Sequence, residues 1–292
     1  MSEPQYAGPK EHLKELSALL RDNARRHRLH RVFSDFCELA ALAISNSVDK
    51  RQYEAREARY LQVVGAYEPD EVARFPHMLA VLVNWLSCDF ADCLGELFMS
   101  LELGDHYKGQ FFTPYHVSAL MAGLTVGDAR AHIARQGFIT VSEPASGAGG
   151  MLIAVAEAIQ DQGLNYQQVM HATAVDVDLT AVHMTYIQLS LLHVPAVVIH
   201  GNTLALTEHG HWLTPAHVLG GWDRRLAQRS AARALSEPVQ LPMTPAEPVN
   251  VFSAAASRKA RRNYAAEGLD QIGLFACQAN QVAAQPPSGP SA

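Results

Sequence analysis

The sequence lacks the marks of a secreted, membrane-spanning or disulfide-rich protein. None of its apolar runs reaches the length that a membrane-spanning helix needs, and residues 1–16 have neither the basic start nor the apolar middle of a signal peptide. Its four cysteines include no CxxC pair, so we interpret them as buried thiols in a reducing compartment. We therefore expect a soluble, cytoplasmic protein with no membrane partner.

The chain also lacks an excess of basic residues. Its 23 lysines and arginines are outnumbered by 29 acidic residues, which gives a formal net charge of -6. Contact with DNA would therefore depend on a local basic patch. Residues 21–31, RDNARRHRLHR, are the candidate patch, with Arg25, Arg26 and Arg28 as possible phosphate contacts. The alternative is a solvated helix end whose arginines complement the helix dipole.

Histidines and tryptophans are concentrated in residues 209–226. We predict no metal site at His209, His211 and His217, because no cysteine or acidic ligand set accompanies them. Trp212 and Trp222 would either stack on a displaced base or fill the side of a core, and the sequence leaves both possibilities open.

The chain is organised around residues 138–152, which read FITVSEPASGAGGML. The run 138–141 predicts a strand, the acid Glu143 follows it, and Gly147 and Gly149 form a loop before a predicted helix over 151–159. This order lets the backbone approach a nucleotide closely while free helix amides face an anionic group. The alternative is an ordinary turn that needs glycine and holds no ligand.

Two further predicted strands end in polar residues. Asp176 closes the strand 172–177, where its carboxylate can accept hydrogen bonds from ribose hydroxyls, and Asp178 is predicted to cap the helix 179–192. Asp176 lies further from the glycines than the about 20 residues of the dinucleotide fingerprint, which argues against an NAD site. The strand 196–200 leads to Asn202, which would either bind an adenine edge or close an Asx turn.

Upstream, residues 109–114 read GQFFTP. Together with EPASGAGG, AVDVD and GNTL, this segment resembles the adenine-specific DNA methyltransferases, in particular the modification subunits of type I restriction-modification systems. The resemblance covers about residues 89–206 and implies an α/β, Rossmann-like methyltransferase core with S-adenosylmethionine (SAM) as its cofactor. The cofactor-binding residues that it implies are Phe112, Thr113, Pro114, Glu143, Gly147, Gly149, Asp176 and Asn202.

One element of that family is missing. The family carries its chemistry on an Asn/Asp-Pro-Pro-Phe/Tyr tetrapeptide, and none occurs after Asn202, so the catalytic residues stay unassigned. The resemblance leaves two main hypotheses. One is methyl transfer from SAM to the exocyclic amine of adenine in DNA, with a specificity or other subunit as a possible partner. The other is a catalytically inactive subunit or regulator that binds SAM and DNA; an RNA or small-molecule methyltransferase is a third possibility.

The pattern along the chain predicts three regions. Residues 1–104 form a helical domain, residues 105–226 form the SAM-binding methyltransferase-like domain, and residues 227–292 are remodelled or largely disordered. Within the second region, Thr113 is predicted to cap a helix whose first residue is Pro114. Because a full SAM-dependent methyltransferase sheet has about seven strands and only three are evident here, we expect a truncated or remodelled sheet.

Overall fold

The computed structural model describes residues 8–103, 112–236 and 272–273. Of the described residues, those up to Gly220 and residues 272–273 belong to one compact unit, and those from Gly221 onward to position 236 belong to another. The domain borders inferred from the sequence remain predictions. Residues 104–111, which include the first half of GQFFTP, and most of the predicted C-terminal region lie outside the described residues. None of the described helices is long and apolar enough to cross a membrane.

Five helices occupy the described residues before position 104. They are α1 (Pro9–Asn23), α2 (Leu29–Val48), α3 (Tyr53–Val64), α4 (Pro69–Leu86) and α5 (Cys93–Ser100). The apolar stripes predicted from helical spacing form their core, since Leu16, Leu20, Phe33 and Phe36 are buried. The N-terminal helical region predicted from the sequence is therefore present.

Two more helices connect this region to the sheet, namely α6 (Tyr115–Val126) and α7 (Ala129–Gln136). The predicted capping of α6 was wrong by one residue. Pro114 occupies the N-cap position with ψ 136°, and no side chain caps the helix. Since this extended ψ keeps Pro114 out of the helix, its carbonyl accepts the first bond, from the amide of Val117 at 2.9 Å.

The remaining elements form an α/β sheet in the predicted order. They are β1 (Ile139–Glu143), α8 (Gly150–Asp161), α9 (Tyr166–Val169), β2 (Met170–Asp176), α10 (Leu179–Leu191), β3 (Ala196–Asn202), β4 (Thr207–Leu213), α11 (Pro215–Leu219), α12 (Trp222–Ser236) and β5 (Ile272–Gly273). The strand order among the described residues is β4-β3-β2-β1-β5. Strands β5, β1, β2 and β3 are parallel, and β4 is antiparallel to β3.

The strand–helix–strand alternation and the parallel order make this a Rossmann-like α/β fold, as predicted. Parallel strands end at the same edge of the sheet, and here Glu143 ends β1, Asp176 ends β2 and Asn202 ends β3. Ligands of such sheets bind in the crevice beyond the carboxyl ends of the strands. The two acids predicted to bind the cofactor, Glu143 and Asp176, therefore lie at the same edge of the sheet.

Strand β4 was not predicted. Its sequence, TEHGHWL, has few of the β-branched residues that mark a strand, and its burial pattern is mostly exposed. Pairing with β3, with a register shift between His200 and Gly201, gives the segment its extended form. Tertiary pairing has thus decided the structure where local preference was weak.

The cap of α10 offers a test of how far local chemistry stabilises this fold. Asp178 Oδ1 accepts hydrogen bonds from the amides of Thr180 at 2.7 Å and Ala181 at 3.2 Å. Replacing Asp178 with Ala should lower the free energy of unfolding by about 1 kcal/mol, whereas Asn, which caps well, should cost less. Urea unfolding of the three proteins measures this, and equal midpoints for Ala and wild type would contradict it.

Candidate functional site

A cavity of about 410 Å³ opens beyond the end of β1. It is lined by Asp92, Phe112, Thr113, Ser118, Glu143, Pro144, Ala145, Ser146, Gly147, Ala148, Gly150 and Met151. These residues come from the start of α5, the segment before α6 and its first turn, and the loop between β1 and α8. The volume falls in the range of small-molecule sites, which are about 300–1,000 Å³.

Gly147 is the residue at which the predicted site residues meet. Its φ of +55° is unfavourable for other residues, and a Cβ there would lie 2.9 Å from Cδ1 of Phe112. Its amide donates a hydrogen bond of 2.8 Å to Oδ2 of Asp176. Phe112, Gly147 and Asp176 are therefore neighbours, although they come from three separate segments of the sequence.

Asp176 is held in one orientation by backbone amides. In addition to the bond from Gly147, its Oδ1 accepts from the amide of Asp178 at 2.9 Å. Burial raises the pKa of Asp176 above its usual value, and the two amides oppose that shift. Each carboxylate oxygen can accept more than one hydrogen bond, so Asp176 keeps capacity for ligand hydroxyls.

Glu143 is a buried acid with an unused acceptor. Its side chain is 4% exposed, its Oε1 accepts a long bond of 3.4 Å from the amide of Ala145, and its Oε2 has no partner among the described residues. Burial raises the pKa of Glu143 to about 7, with a smaller contribution in the same direction from the charge of Asp176. A ligand group that donates to Oε2 would satisfy this atom.

The glycine loop ends at the start of α8. Gly149 occupies the N-cap position, Gly150 is the first helical residue, and Gly150 and Met151 both line the cavity. The first amides of a helix have no partner within the helix and carry a partial positive charge, so they suit a carboxylate or another anionic group. The loop itself is fixed by a bond of 2.9 Å from Oγ1 of Thr185 to the carbonyl of Gly147.

The sequence analysis missed Asp92. This residue is 6% exposed, caps α5 through a bond of 2.9 Å from the amide of Gly95, and lines the cavity. The sequence offered one signal for it, an acid three residues before Gly95. This acid begins a segment that resembles the helix preceding GQFFTP in the adenine-specific DNA methyltransferases. Sequence alone identifies such an acid only as a helix cap.

The other predicted cofactor residues occupy different positions. Thr113 lines the cavity, and Pro114 lines an adjoining one of about 570 Å³. Oδ1 of Asn202 accepts a bond of 2.9 Å from the amide of Ala205 and so closes a turn, one of the two alternatives left open for it. Gly149 lies at the helix N-terminus, as its place in the motif implied.

The arginines proposed to contact DNA lie in the turn between α1 and α2. Arg25 pairs with Asp22 at 3.1 Å, whereas Arg26 pairs with Glu68 at 3.1 Å and with Glu71 at 3.0 Å. Arg28 is the N-cap residue of α2 and is exposed. Their role in DNA binding remains a prediction.

The histidines and tryptophans after position 206 have structural neighbours. His209 packs against His200, His211 pairs with Glu208, and His217 lies 2.9 Å from the ring of His171. Trp212 is 8% exposed, with its ring 4.9 Å from that of His183 and the guanidinium of Arg56 4.2 Å above it. Trp222 begins α12, where Arg225 lies over its ring. Of the two alternatives for Trp212, the structure shows the packed one.

Comparisons with known proteins agree with this geometry over part of the chain. Residues 97–219 match the family model of the N-6 DNA methylases. A search of the curated proteins gave no match.

Two solved structures are similar at low identity. One is a protein of Listeria monocytogenes described as a class I S-adenosylmethionine-dependent methyltransferase, with 15% identity and a TM-score of 0.39 over 65% of this chain and 53% of that chain. The other is the methyltransferase subunit of a type I restriction-modification system from Streptococcus thermophilus, with 13% identity and a TM-score of 0.32 over 64% and 56%. The chain thus spans slightly more than half of each of these proteins.

The parallel sheet, the glycine loop and the acids at the carboxyl edge define a Rossmann-like α/β fold. Residues 97–219 match the model of the N-6 DNA methylase family, in agreement with this fold. The family predicted from the four sequence segments is therefore confirmed.

The buried acid of the cavity generates a prediction about pH. Because the pKa of Glu143 rises from 4.5 to about 7 on folding, its contribution to stability is largest below pH 4.5 and is lost as the pH rises to about 7. Relative to Glu143→Gln, which stays neutral, the wild type should lose about 3 kcal/mol across this window. Urea unfolding of both proteins between pH 4 and pH 8, with about 1.4 kcal/mol for each pH unit, measures the loss. Parallel stability curves would contradict it.

Proposed function

We propose that this chain binds S-adenosylmethionine in the cavity beside Gly147 and serves methyl transfer to the exocyclic amine of adenine in DNA. The observation that supports this most is the proximity of Phe112, Gly147 and Asp176 within the region that matches the N-6 DNA methylase family. A glycine loop alone would be weak support. An aromatic ring and a carboxylate that both contact the same glycine would suit a nucleoside.

The residues of the cavity, and Asp176 next to its lining residue Gly147, suit the parts of SAM. Asp176 would accept hydrogen bonds from ribose hydroxyls, and the first amides of α8 would face the carboxylate of the methionyl end. Phe112 is held by an edge contact to Phe98 of α5, with ring centroids 5.0 Å apart, and its ring would cover the methionyl chain and sulfonium. The unused Oε2 of Glu143 fits a donor group of the ligand. When bound, SAM supplies an electrophilic methyl group.

A second candidate function rests on the missing tetrapeptide. The adenine amine is a weak nucleophile because its lone pair is delocalised, so an enzyme must extrude the base from the duplex and place an acceptor beside the amine. No Asn/Asp-Pro-Pro-Phe/Tyr sequence follows Asn202 to supply that acceptor. This favours a chain that binds SAM and DNA without turnover, as a subunit or regulator, or one that completes its site with a partner chain.

The proposed partners follow from the same function. DNA would be contacted through phosphates, for which the exposed Arg25 and Arg28 are candidates, and a specificity subunit of a restriction-modification system would supply sequence recognition. Such a system would act in the cytoplasm, which is the location that the sequence predicts.

Calorimetry followed by a transfer assay separates the two candidates. Titration with SAM should give saturable binding, and labelled SAM with unmethylated duplex DNA should give labelled DNA if the chain is an active methyltransferase. The assay should include the specificity subunit, because a missing partner would mimic inactivity. Binding without label would support the second candidate, and the absence of any SAM binding would exclude both.

Gly147 provides the sharpest variant for the binding step. Gly147→Ala places a Cβ against the ring of Phe112 and forces a left-handed backbone on a residue that avoids it. We expect SAM affinity to fall by about tenfold, because the added Cβ would displace the ring of Phe112 from the position in which it would contact the ligand. The left-handed conformation should in addition lower the free energy of unfolding by about 1–2 kcal/mol.

Gly123→Ala is the matched control for this substitution. Gly123 lies inside α6, and a Cβ there meets no atom within 4 Å. This variant should bind SAM as the wild type does. Equal affinities for both alanine variants would contradict the proposed position of the ligand.

A further inference from the structure

A carboxylate from the N-terminal helical region forms part of the cavity wall. Asp92, at the start of α5, lines both this cavity and the adjoining one and is 6% exposed. Its hydrogen bonds from described residues, from the amide of Gly95 at 2.9 Å and from Nε2 of Gln188 at 2.8 Å, both end on Oδ1. Oδ2 accepts no bond from them, and it lies 3.0 Å from the position of a Cβ on Gly150, at the start of α8.

Gln188 of α10 holds this carboxylate in position. The side chain is fully buried, and its Nε2 donates to Asp92 Oδ1 and also to the carbonyl of Ala148, both at 2.8 Å. Its Oε1 accepts from the amide of Leu94 at 3.0 Å. Because each end of the amide has the partner that it requires, the orientation of Gln188 is determined. One side chain thus joins α5, the glycine loop and α10.

The described wall of the cavity is acidic. Among the described residues that line it, Asp92 and Glu143 are the acidic ones, and none of these described residues is a lysine, arginine or histidine. Glu143 is also more than nine-tenths buried, with Oε2 unpartnered among the described residues. Burial of a carboxylate is costly when no cation pairs with it, and the described wall residues provide no basic side chain that would do so. The cavity therefore favours a ligand with a positively charged donor group.

A group that favours an anion and a group that favours a cation lie close together on the wall. The N-terminus of α8 favours an anion, and Oδ2 of Asp92 lies beside Gly150 at that same N-terminus. A single ligand that satisfies both must carry a cation and an anion a few atoms apart. An α-amino acid has that arrangement.

We propose that Asp92 is a ligand-binding residue that accepts a hydrogen bond from the ammonium group of the amino-acid end of the ligand, with Gln188 as its positioning residue. This rests on the proposed function, since it takes the ligand to be a nucleoside that carries an α-amino acid. Burial raises the pKa of Asp92, and an ammonium partner would offset that cost. Under this proposal the helical region takes part in cofactor recognition through Asp92.

A comparison of three ligands with two proteins tests the inference. SAM and S-adenosylhomocysteine carry the amino-acid end, whereas 5′-methylthioadenosine lacks it. Asp92→Asn keeps the cap and the acceptor for Gln188 but replaces the negative charge. In calorimetric titrations we expect this variant to bind SAM and S-adenosylhomocysteine about tenfold to a hundredfold more weakly, with no change for methylthioadenosine.

Asp128→Asn is the matched control. Asp128 caps α7 through a bond of 3.0 Å from the amide of Ala131, and it is exposed and absent from the cavity wall. This variant should bind all three ligands as the wild type does. If Asp92→Asn does not fold, Asp92→Ser, which also caps a helix and lacks the charge, replaces it with the same expected result.

The outcomes separate this inference from the proposed function. Unchanged SAM affinity in the Asp92 variant, or an equal loss for SAM and methylthioadenosine, would overturn the role of Asp92 and leave the proposed function standing. A wild-type chain that binds none of the three ligands would overturn the proposed function and, with it, this inference.

Discussion

The hydrogen bond of 2.8 Å from the amide of Gly147 to the carboxylate of Asp176 is the contact on which the rest of the site depends. It joins the loop after β1 to the end of β2. With the loop in this position, its left-handed glycine has room for the ring of Phe112, and the amides of α8 open into the same cavity. A side chain on Gly147 would therefore disturb both the contact with Phe112 and the hydrogen bond to Asp176.

The second feature of the cavity is the pair of buried acids in its wall. Glu143 and Asp92 are buried acids of the wall, and burial raises the pKa of both. The helix N-terminus beside them carries the opposite partial charge. Gln188 fixes α5 to the glycine loop through three hydrogen bonds, so the helical region and the sheet share one set of buried polar groups. We infer that the ligand supplies a positive charge, which the described wall residues do not provide.

Much of the fold could be predicted from residue patterns because hydrophobic periodicity was strong there. The predicted helix 179–192 is α10 (Leu179–Leu191), and the predicted strand 196–200 lies within β3 (Ala196–Asn202). Strand β4 could not be predicted, since its histidine-rich sequence becomes extended only by pairing with β3. Phe112, Gly147 and Asp176 were found through motif order, whereas Asp92 was missed because its partners Gln188 and Gly150 are distant in sequence.

The central claim is that the cavity lined by Phe112 and Gly147, with Asp176 hydrogen-bonded to Gly147 beside it, holds the nucleoside. A crystal structure of the chain with S-adenosylhomocysteine, which cannot donate a methyl group, tests it most directly. The account predicts the ribose hydroxyls within hydrogen-bonding distance of the Asp176 carboxylate, and the ligand in contact with Gly147 and Phe112. A ligand bound elsewhere, with none of these three residues in contact with it, would contradict the account.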